Sequence, residues 1–290
     1  MTNNINSTDM DTNPLYIVTG ATDNMGSLIS RRLAEQGKPL LLASRNQEKA
    51  QRYAEQLKKE TKNQDIQCLQ LDLSSFALVN DFVARLKQLN RPVAVLVNNA
   101  GTLPRHSRMS PDGYEHTVQV NFLSTALLSL AVYPLMVENG KIILSTSISR
   151  RLVSLPYEFP AVSNFTQIGS YAQAKLALTL FSIYMSTTMK THRICVNCVN
   201  PGVINTSVLA LHTWLDRAAD YLVSPLPNPE AGVIPTMRAI ESGDTGFIFQ
   251  GTSTQIKTST MLKNRDVFIK LCNDTMRILK KHLPHEPINQ

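Results

Sequence analysis

Short runs of Val, Ile and Leu alternate along this chain with longer segments that are apolar on one face only. The run from Leu15 to Thr19 predicts a strand, and Met25 to Gln36 predicts the helix after it, ended by Gly37. The same alternation predicts strands over Pro39–Ala43, Ile66–Leu71, Pro92–Val97, Lys141–Thr146, Arg193–Val199 and Gly246–Phe249. Helices are predicted from the cap Asn46 to Glu60, from a cap at Ser74 or Ser75 to Leu89, after Ser110-Pro111, over Ser170–Met189 and over Arg265–His282. Several strands are near-continuous apolar runs, the pattern of parallel strands covered on both faces. Strand–helix repetition with right-handed crossovers then predicts an α/β, doubly wound, parallel seven-stranded sheet. These elements fill residues 15–290 as a single domain with no linker. Residues 1–14 predict a disordered tail, and Pro225 to Pro229 a loop.

Composition narrows the class. The chain has 290 residues, 43% hydrophobic and 18% charged, with 12 Gly and 15 Pro, which excludes collagen-like and low-complexity chains. Four Cys do not make a disulfide scaffold and suit a reducing compartment. The polar start lacks the basic and apolar regions of a signal peptide. The longest apolar stretch, Thr125 to Val137, is too short to span a bilayer and contains Pro134. The expectation is a soluble, cytoplasmic protein without a transmembrane segment. A net charge of +7 and a pI of about 9.3 point to an anionic partner. No nucleic-acid motif or aromatic-basic patch accompanies that charge.

The first strand runs into Thr19-Gly20, followed by Asn24 and Gly26. A glycine turn between strand and helix lets backbone N–H groups and the helix N-terminus face a pyrophosphate. Gly20 makes the turn and Gly26 allows close packing. An acid that would bind a ribose diol is missing from the end of the second strand, which reads Ser44-Arg45-Asn46. The Arg45 guanidinium suits a 2′-phosphate instead, through bidentate donation. Asp23, in the same turn, counts against that pairing if it faces the same pocket. Further on, Tyr171 and Lys175 stand one helical turn apart on one face.

Together these residues resemble the short-chain dehydrogenase/reductase family over about Leu15 to Thr254. The matches are Thr19-Gly20 with Gly26, Asp72-Leu73, Asn98-Asn99-Ala100-Gly101, Asn121, Ser147, Tyr171 with Lys175, and Asn200-Pro201-Gly202 with Thr206. Ser44-Arg45-Asn46, Pro111 to Glu115 ahead of Val120-Asn121, and the long gap from Ser147 to Tyr171 resemble the retinol dehydrogenase and protochlorophyllide reductase-like branch. The resemblance implies a Rossmann fold and NADP(H), preferred over NAD(H). Tyr171 would be the general acid/base, its phenolate favoured by Lys175 and an oxidised nicotinamide. Lys175 would also hold the nicotinamide ribose. Ser147 would stabilise charge on the substrate oxygen, with Ser145 as the alternative, and Asn121 would hold a water leading to Lys175. The cofactor would be lined by Gly20, Thr22, Asn24, Met25, Gly26, Ser44, Arg45, Asn46, Asp72 and Leu73. Asn98, Ala100 and Gly101 would border its adenosine, and Pro201, Gly202, Val203 and Thr206 its nicotinamide. A lid would span about 205–230, where Trp214 either lines the pocket or packs the lid.

Asn24 replaces the family's second turn glycine and tolerates positive φ better than other side chains. Cys195 and Cys198 lie within one strand and read as structural, and no metal site is expected. Residues 257–290 hold seven Lys/Arg against three acids, a basic-faced terminal helix. The implied activity is NADP(H)-dependent carbonyl reduction, or the matching alcohol oxidation, on an apolar small molecule. C=C reduction and a weakly catalytic cofactor-binding sensor or scaffold stand as alternatives. A homodimer or homotetramer through the helices after Pro111 and after Ser170 is the expected assembly.

Overall fold

A computed structural model describes residues 13–161, 164–202 and 229–284. Nearly all of the expected tail and lid, with Val203, Thr206 and Trp214, lies outside the described residues. The sheet joins β1 (Leu15–Thr19), β2 (Leu40–Ser44), β3 (Ile66–Gln70), β4 (Val93–Asn98), β5 (Met136–Ser145), β6 (Cys195–Asn200), β7 (Phe247–Gln250) and β8 (Thr254–Lys257). Their order is β3-β2-β1-β4-β5-β6-β7-β8. Strands β1 to β7 pair in parallel, as their unbroken apolar runs require. The expected count of seven is corrected to eight, because β8 returns antiparallel to β7 at the sheet edge. Its sequence, Thr-Gln-Ile-Lys, is half exposed and gives no apolar run to read.

Helices cover both faces. On one lie α1 (Asn24–Glu35), α2 (Gln47–Thr61) and a helix over Pro229–Glu241, whose Ile29, Leu33, Leu57 and Val233 meet Val18, Leu42 and Val97. On the other lie α3 (Phe76–Gln88), α4 (His116–Leu135), α5 (Gln167–Thr188) and the terminal helix Arg265–Leu279, numbered α7 after α6 (Pro229–Glu241). Phe76, Phe82, Phe122, Phe181, Leu271 and Leu279 join their common core. Asn46 and Ser75 cap α2 and α3 by accepting the N–H groups of Lys49 and Leu78. Helix α6 was not legible: Gly232 and Pro235 inside it break the helical pattern.

Two expectations about α4 are corrected. Pro111 sits in a turn closed by Gly113 N–H to Ser110 C=O, not in the first helical turn. The helix begins at His116, where the Glu115 carboxylate accepts the N–H groups of Thr117 and Val118. By length and composition α4 can cross a membrane, unlike the shorter apolar stretch that overlaps it, but it is mostly buried in this fold. Every residue from Ser124 to Val132 is buried, and only Ile168 and Thr187 of α5 are exposed. Helix α7 packs on α5 and contributes Leu271, Cys272, Met276 and Leu279 to the core beneath it.

Leu279 is fully buried. Leu279→Ala is expected to cost about 2–5 kcal/mol of unfolding free energy in urea titrations. A loss below about 1 kcal/mol would show that α7 is not part of the cooperative core.

Candidate active site

The C-terminal ends of β1 to β6 border one cavity of about 890 Å³. It opens where the strand order reverses, between β1 and β4, the place where doubly wound sheets bind ligands. The Thr19 hydroxyl accepts the N–H groups of Asn99 and Ala100 at 3.0 and 2.9 Å, drawing these two strand ends together. Asn99 Nδ2 donates to the Thr19 carbonyl at 3.1 Å. Gly20 turns the chain with φ at +63°. A Cβ on Gly26 would lie 2.0 Å from the Gly20 carbonyl oxygen, so only glycine lets α1 approach this closely.

Asn24 has φ at +43°, so an asparagine does hold the turn conformation. Asp23, at the N-cap of α1, makes no side-chain cap. The first-turn N–H groups of a helix have no partner within it, and these lie beside the cavity. Asp23 instead pairs with Lys49. Arg45 is exposed at the cavity rim, and its guanidinium has no carboxylate partner among the described residues. A positive dipole end and an uncommitted guanidinium, separated by a glycine cradle, fit a phosphorylated dinucleotide.

Of the expected cofactor-lining residues, Gly20, Asn24, Met25, Ser44, Arg45, Asn46, Asp72, Leu73, Ala100, Gly101, Pro201 and Gly202 border the cavity. Thr22 and Gly26 stand behind it: the Thr22 hydroxyl meets that of Ser44 at 3.2 Å. Asn98 is turned away, donating to Ser129 Oγ at 3.0 Å inside the core, and Asn99 takes the cavity-facing place. Asn98 is still within β4, so strand alternation sends its side chain to the face covered by α4.

The other end of the cavity gathers Ser145, Ser147, Tyr171 and Lys175. Thr166 caps α5 by accepting the Gly169 N–H, which starts the helix one turn before Tyr171. Lys175 Nζ donates to the Ser145 carbonyl at 2.8 Å and lies 5.7 Å from the centroid of the Tyr171 ring. Ser145 thus offers its backbone to lysine, while the Ser147 side chain stands close enough to Tyr171 to act on its phenol. Burial pushes the Lys175 amine down to about 8. Burial pushes the Tyr171 phenol up, and the Ser147 hydrogen bond works against it. The expected lowering by Lys175 is not what dominates here, because both groups are withdrawn from water together.

Asn121 lies in a π turn (Gln119–Leu123) within α4. Its Oδ1 accepts the Thr102 N–H at 3.1 Å, and its Nδ2 donates to the carbonyls of Thr102 and Thr117 at 2.8 and 3.0 Å. It braces the loop after β4 rather than bordering the cavity. His116 does border it, a residue the sequence reading left aside. Its ring meets Arg108 Nη2 at 2.5 Å, and burial followed by the Arg108 charge lowers its basicity. The local signal for it is Glu115, the N-cap that starts α4 at this residue.

The short chain dehydrogenase family matches residues 15–213. The chain belongs to that family. Polyprenol dehydrogenase of Homo sapiens is 30% identical over 216 residues, covering 71% of this chain and 66% of its own. Retinol dehydrogenase 13 of Homo sapiens is 30% identical over 204 residues, covering 69% and 61%. The matched stretch spans less than two thirds of either relative's length. Among solved structures, an uncharacterized protein from Mycobacterium Paratuberculosis superposes with a TM-score of 0.74 at 19% identity over 96% of each chain. A short-chain dehydrogenase from Sphingobium yanoikuyae in complex with NADPH gives 0.64 at 21% identity, over 82% of this chain and 87% of the other. These likenesses show the fold.

The depressed Lys175 has a measurable consequence. Its usual value is 10.5, so between about 8 and 10.5 the unfolded chain binds the extra proton. Stability assigned to Lys175 is therefore expected to rise with pH across that window, by at most about 1.4 kcal/mol per unit. The measurement is the difference in unfolding free energy between wild type and Lys175→Met, taken at several pH values. A flat difference would show that the amine is not desolvated.

Proposed function

We propose that the protein is an NADP(H)-dependent oxidoreductase that reduces a carbonyl, or oxidises the matching alcohol, on an apolar small molecule. The observation that carries this reading is one cavity bordered by Arg45 and the uncapped start of α1 at one end and by Ser147, Tyr171 and Lys175 at the other. When bound, the cofactor supplies or accepts the hydride. The first-turn N–H groups of α1 would hold its pyrophosphate, and Arg45 with Ser44 and Asn46 would hold the 2′-phosphate. Ala100 and Gly101 with Leu73 border the adenosine. Pro201 and Gly202 would border the nicotinamide side.

At the reacting end, Ser147 donates to the substrate oxygen. Tyr171 Oη gives its proton to that oxygen in reduction and takes one in oxidation. A phenol raised by burial is protonated at neutral pH, which suits the reductive direction. Lys175, held by the Ser145 carbonyl, orients the nicotinamide ribose and keeps positive charge beside the ring. The names of the relatives, polyprenol and retinol dehydrogenases, place long apolar alcohols and their aldehydes first among substrates to test.

Tyr171→Phe is expected to lower kcat by about 10²–10⁴-fold, the usual worth of a general acid/base. NADPH binding, followed by nucleotide fluorescence, is expected to stay near the wild-type value. Full turnover in this variant would remove Tyr171 from the mechanism. Arg45→Asp is expected to weaken NADPH by roughly tenfold or more, through loss of a charge-assisted contact worth about 1.5–3 kcal/mol. NADH binding should change little, and equal losses for both nucleotides would overturn the phosphate assignment.

A further inference from the structure

Ser147 is held at both of its polar ends by residues that immediately follow it. Its Oγ accepts the Ser149 N–H at 3.2 Å and the Ser149 hydroxyl at 3.0 Å. Its carbonyl accepts the Arg150 N–H at 3.3 Å and Arg150 Nη1 at 2.6 Å. A serine hydroxyl has one proton and two lone pairs. With both lone pairs occupied, the proton is all that Ser147 has left to offer. We propose that Ser149 and Arg150 are positioning residues that fix Ser147 as a dedicated hydrogen-bond donor toward Tyr171 and the substrate oxygen. This rests on the reading of Ser147 given above and specifies how its polarity is set.

The cost of Arg150 argues for the same role. Its side chain is 1% exposed, and Nε and Nη2 have no partner among the described residues. Burying a guanidinium with two donors unanswered is unfavourable, and an apolar side chain would fill that volume more cheaply. Among the described residues, its guanidinium bonds the Ser147 carbonyl. That bond and the backbone bond to the same oxygen close the single turn (Ile148–Leu152) that Ser147 caps. The turn thereby sets the main-chain orientation of Ser147, while Ser149 sets the direction of its proton.

The arrangement has a chemical consequence. A carbonyl oxygen can take the single Ser147 proton from Tyr171, which then keeps its own proton for the same oxygen. An alcohol hydroxyl finds no lone pair on Ser147, so its proton goes to Tyr171. Two acceptor bonds on the Ser147 oxygen also polarise its O–H and strengthen what it donates.

The experiment compares wild type, Ser147→Ala, Ser149→Ala, Ser149→Thr, Arg150→Met, Arg150→Lys and the Ser147→Ala/Ser149→Ala double variant. Tyr171 ionisation is followed by NMR of ¹³C-labelled tyrosine in the cofactor-free protein, with circular dichroism to verify folding. Kinetics with NADPH and an apolar aldehyde run in parallel. Ser149→Ala is expected to raise the Tyr171 titration midpoint and to lower kcat by roughly tenfold with little change in KM, a fraction of the effect of losing a whole oxyanion donor. Ser149→Thr, which keeps the hydroxyl, is expected to recover most of both. In the Ser147→Ala background, removing Ser149 is expected to add nothing. Arg150→Met is expected to raise the same midpoint, and Arg150→Lys, which keeps a donor, to raise it less. Additive losses in the double variant, or a Tyr171 midpoint that moves with Ser147→Ala but not with Ser149→Ala, would overturn the proposal. A wild-type protein that turns over no carbonyl while its midpoints shift as expected would sink the enzymatic reading and leave the brace standing.

Discussion

The molecule depends on how closely the ends of β1 and β4 approach each other. Two backbone N–H groups, of Asn99 and Ala100, converge on one hydroxyl, that of Thr19. This places Gly20 against Ala100 and brings the start of α1 so near that position 26 has no room for a Cβ. Everything the cavity offers follows from that contact. The crevice lies at the switch point of the sheet because β1 sends its chain to one face and β4 to the other. Asp23 at the start of α1 is drawn aside to Lys49 and makes no side-chain cap there.

The reacting end is governed by a different constraint, buried positive charge. Lys175 and Arg150 are both withdrawn from water, and neither pairs with a carboxylate among the described residues. Each spends its side-chain donation on a backbone carbonyl of the same short stretch, Ser145 for the lysine and Ser147 for the arginine. Such cations are costly to bury, and the fold retains them where an oxygen is expected to gain negative charge. Burial also keeps the Tyr171 phenol protonated, while its hydrogen bond to Ser147 moderates the effect. A folded scaffold that holds its acid protonated and its donors already oriented has little reorganisation left to do.

Much of this was legible in the sequence, for reasons that differ between elements. Strands β1, β2 and β4 are buried on both faces, so their composition alone marks them. Asn46 and Ser75 announce their helices because a cap is a local bond. Arg45 and Tyr171 with Lys175 were readable because strand ends and helical turns fix where such side chains stand. Strand β8 and helix α6 were not readable: one is a polar edge strand, and the other carries Gly232 and Pro235. The burial of α5 depends in part on α7, whose docking is a long-range event that no local pattern encodes. Asn98 was misplaced by one position, since a strand that runs one residue further sends that side chain to the other face. The roles of Ser149 and Arg150 required three-dimensional hydrogen-bond partners, because nothing in their types or spacing sets them apart from an ordinary polar turn.

The central claim is that one cavity holds a phosphorylated nicotinamide dinucleotide between Arg45 and Tyr171. The most direct measurement is calorimetric titration of the unmodified chain with NADPH and, separately, with NADH. The account predicts saturable binding of both, with NADPH tighter by at least about tenfold, or about 1.4 kcal/mol. Equal affinities, or no binding of either nucleotide, would contradict it.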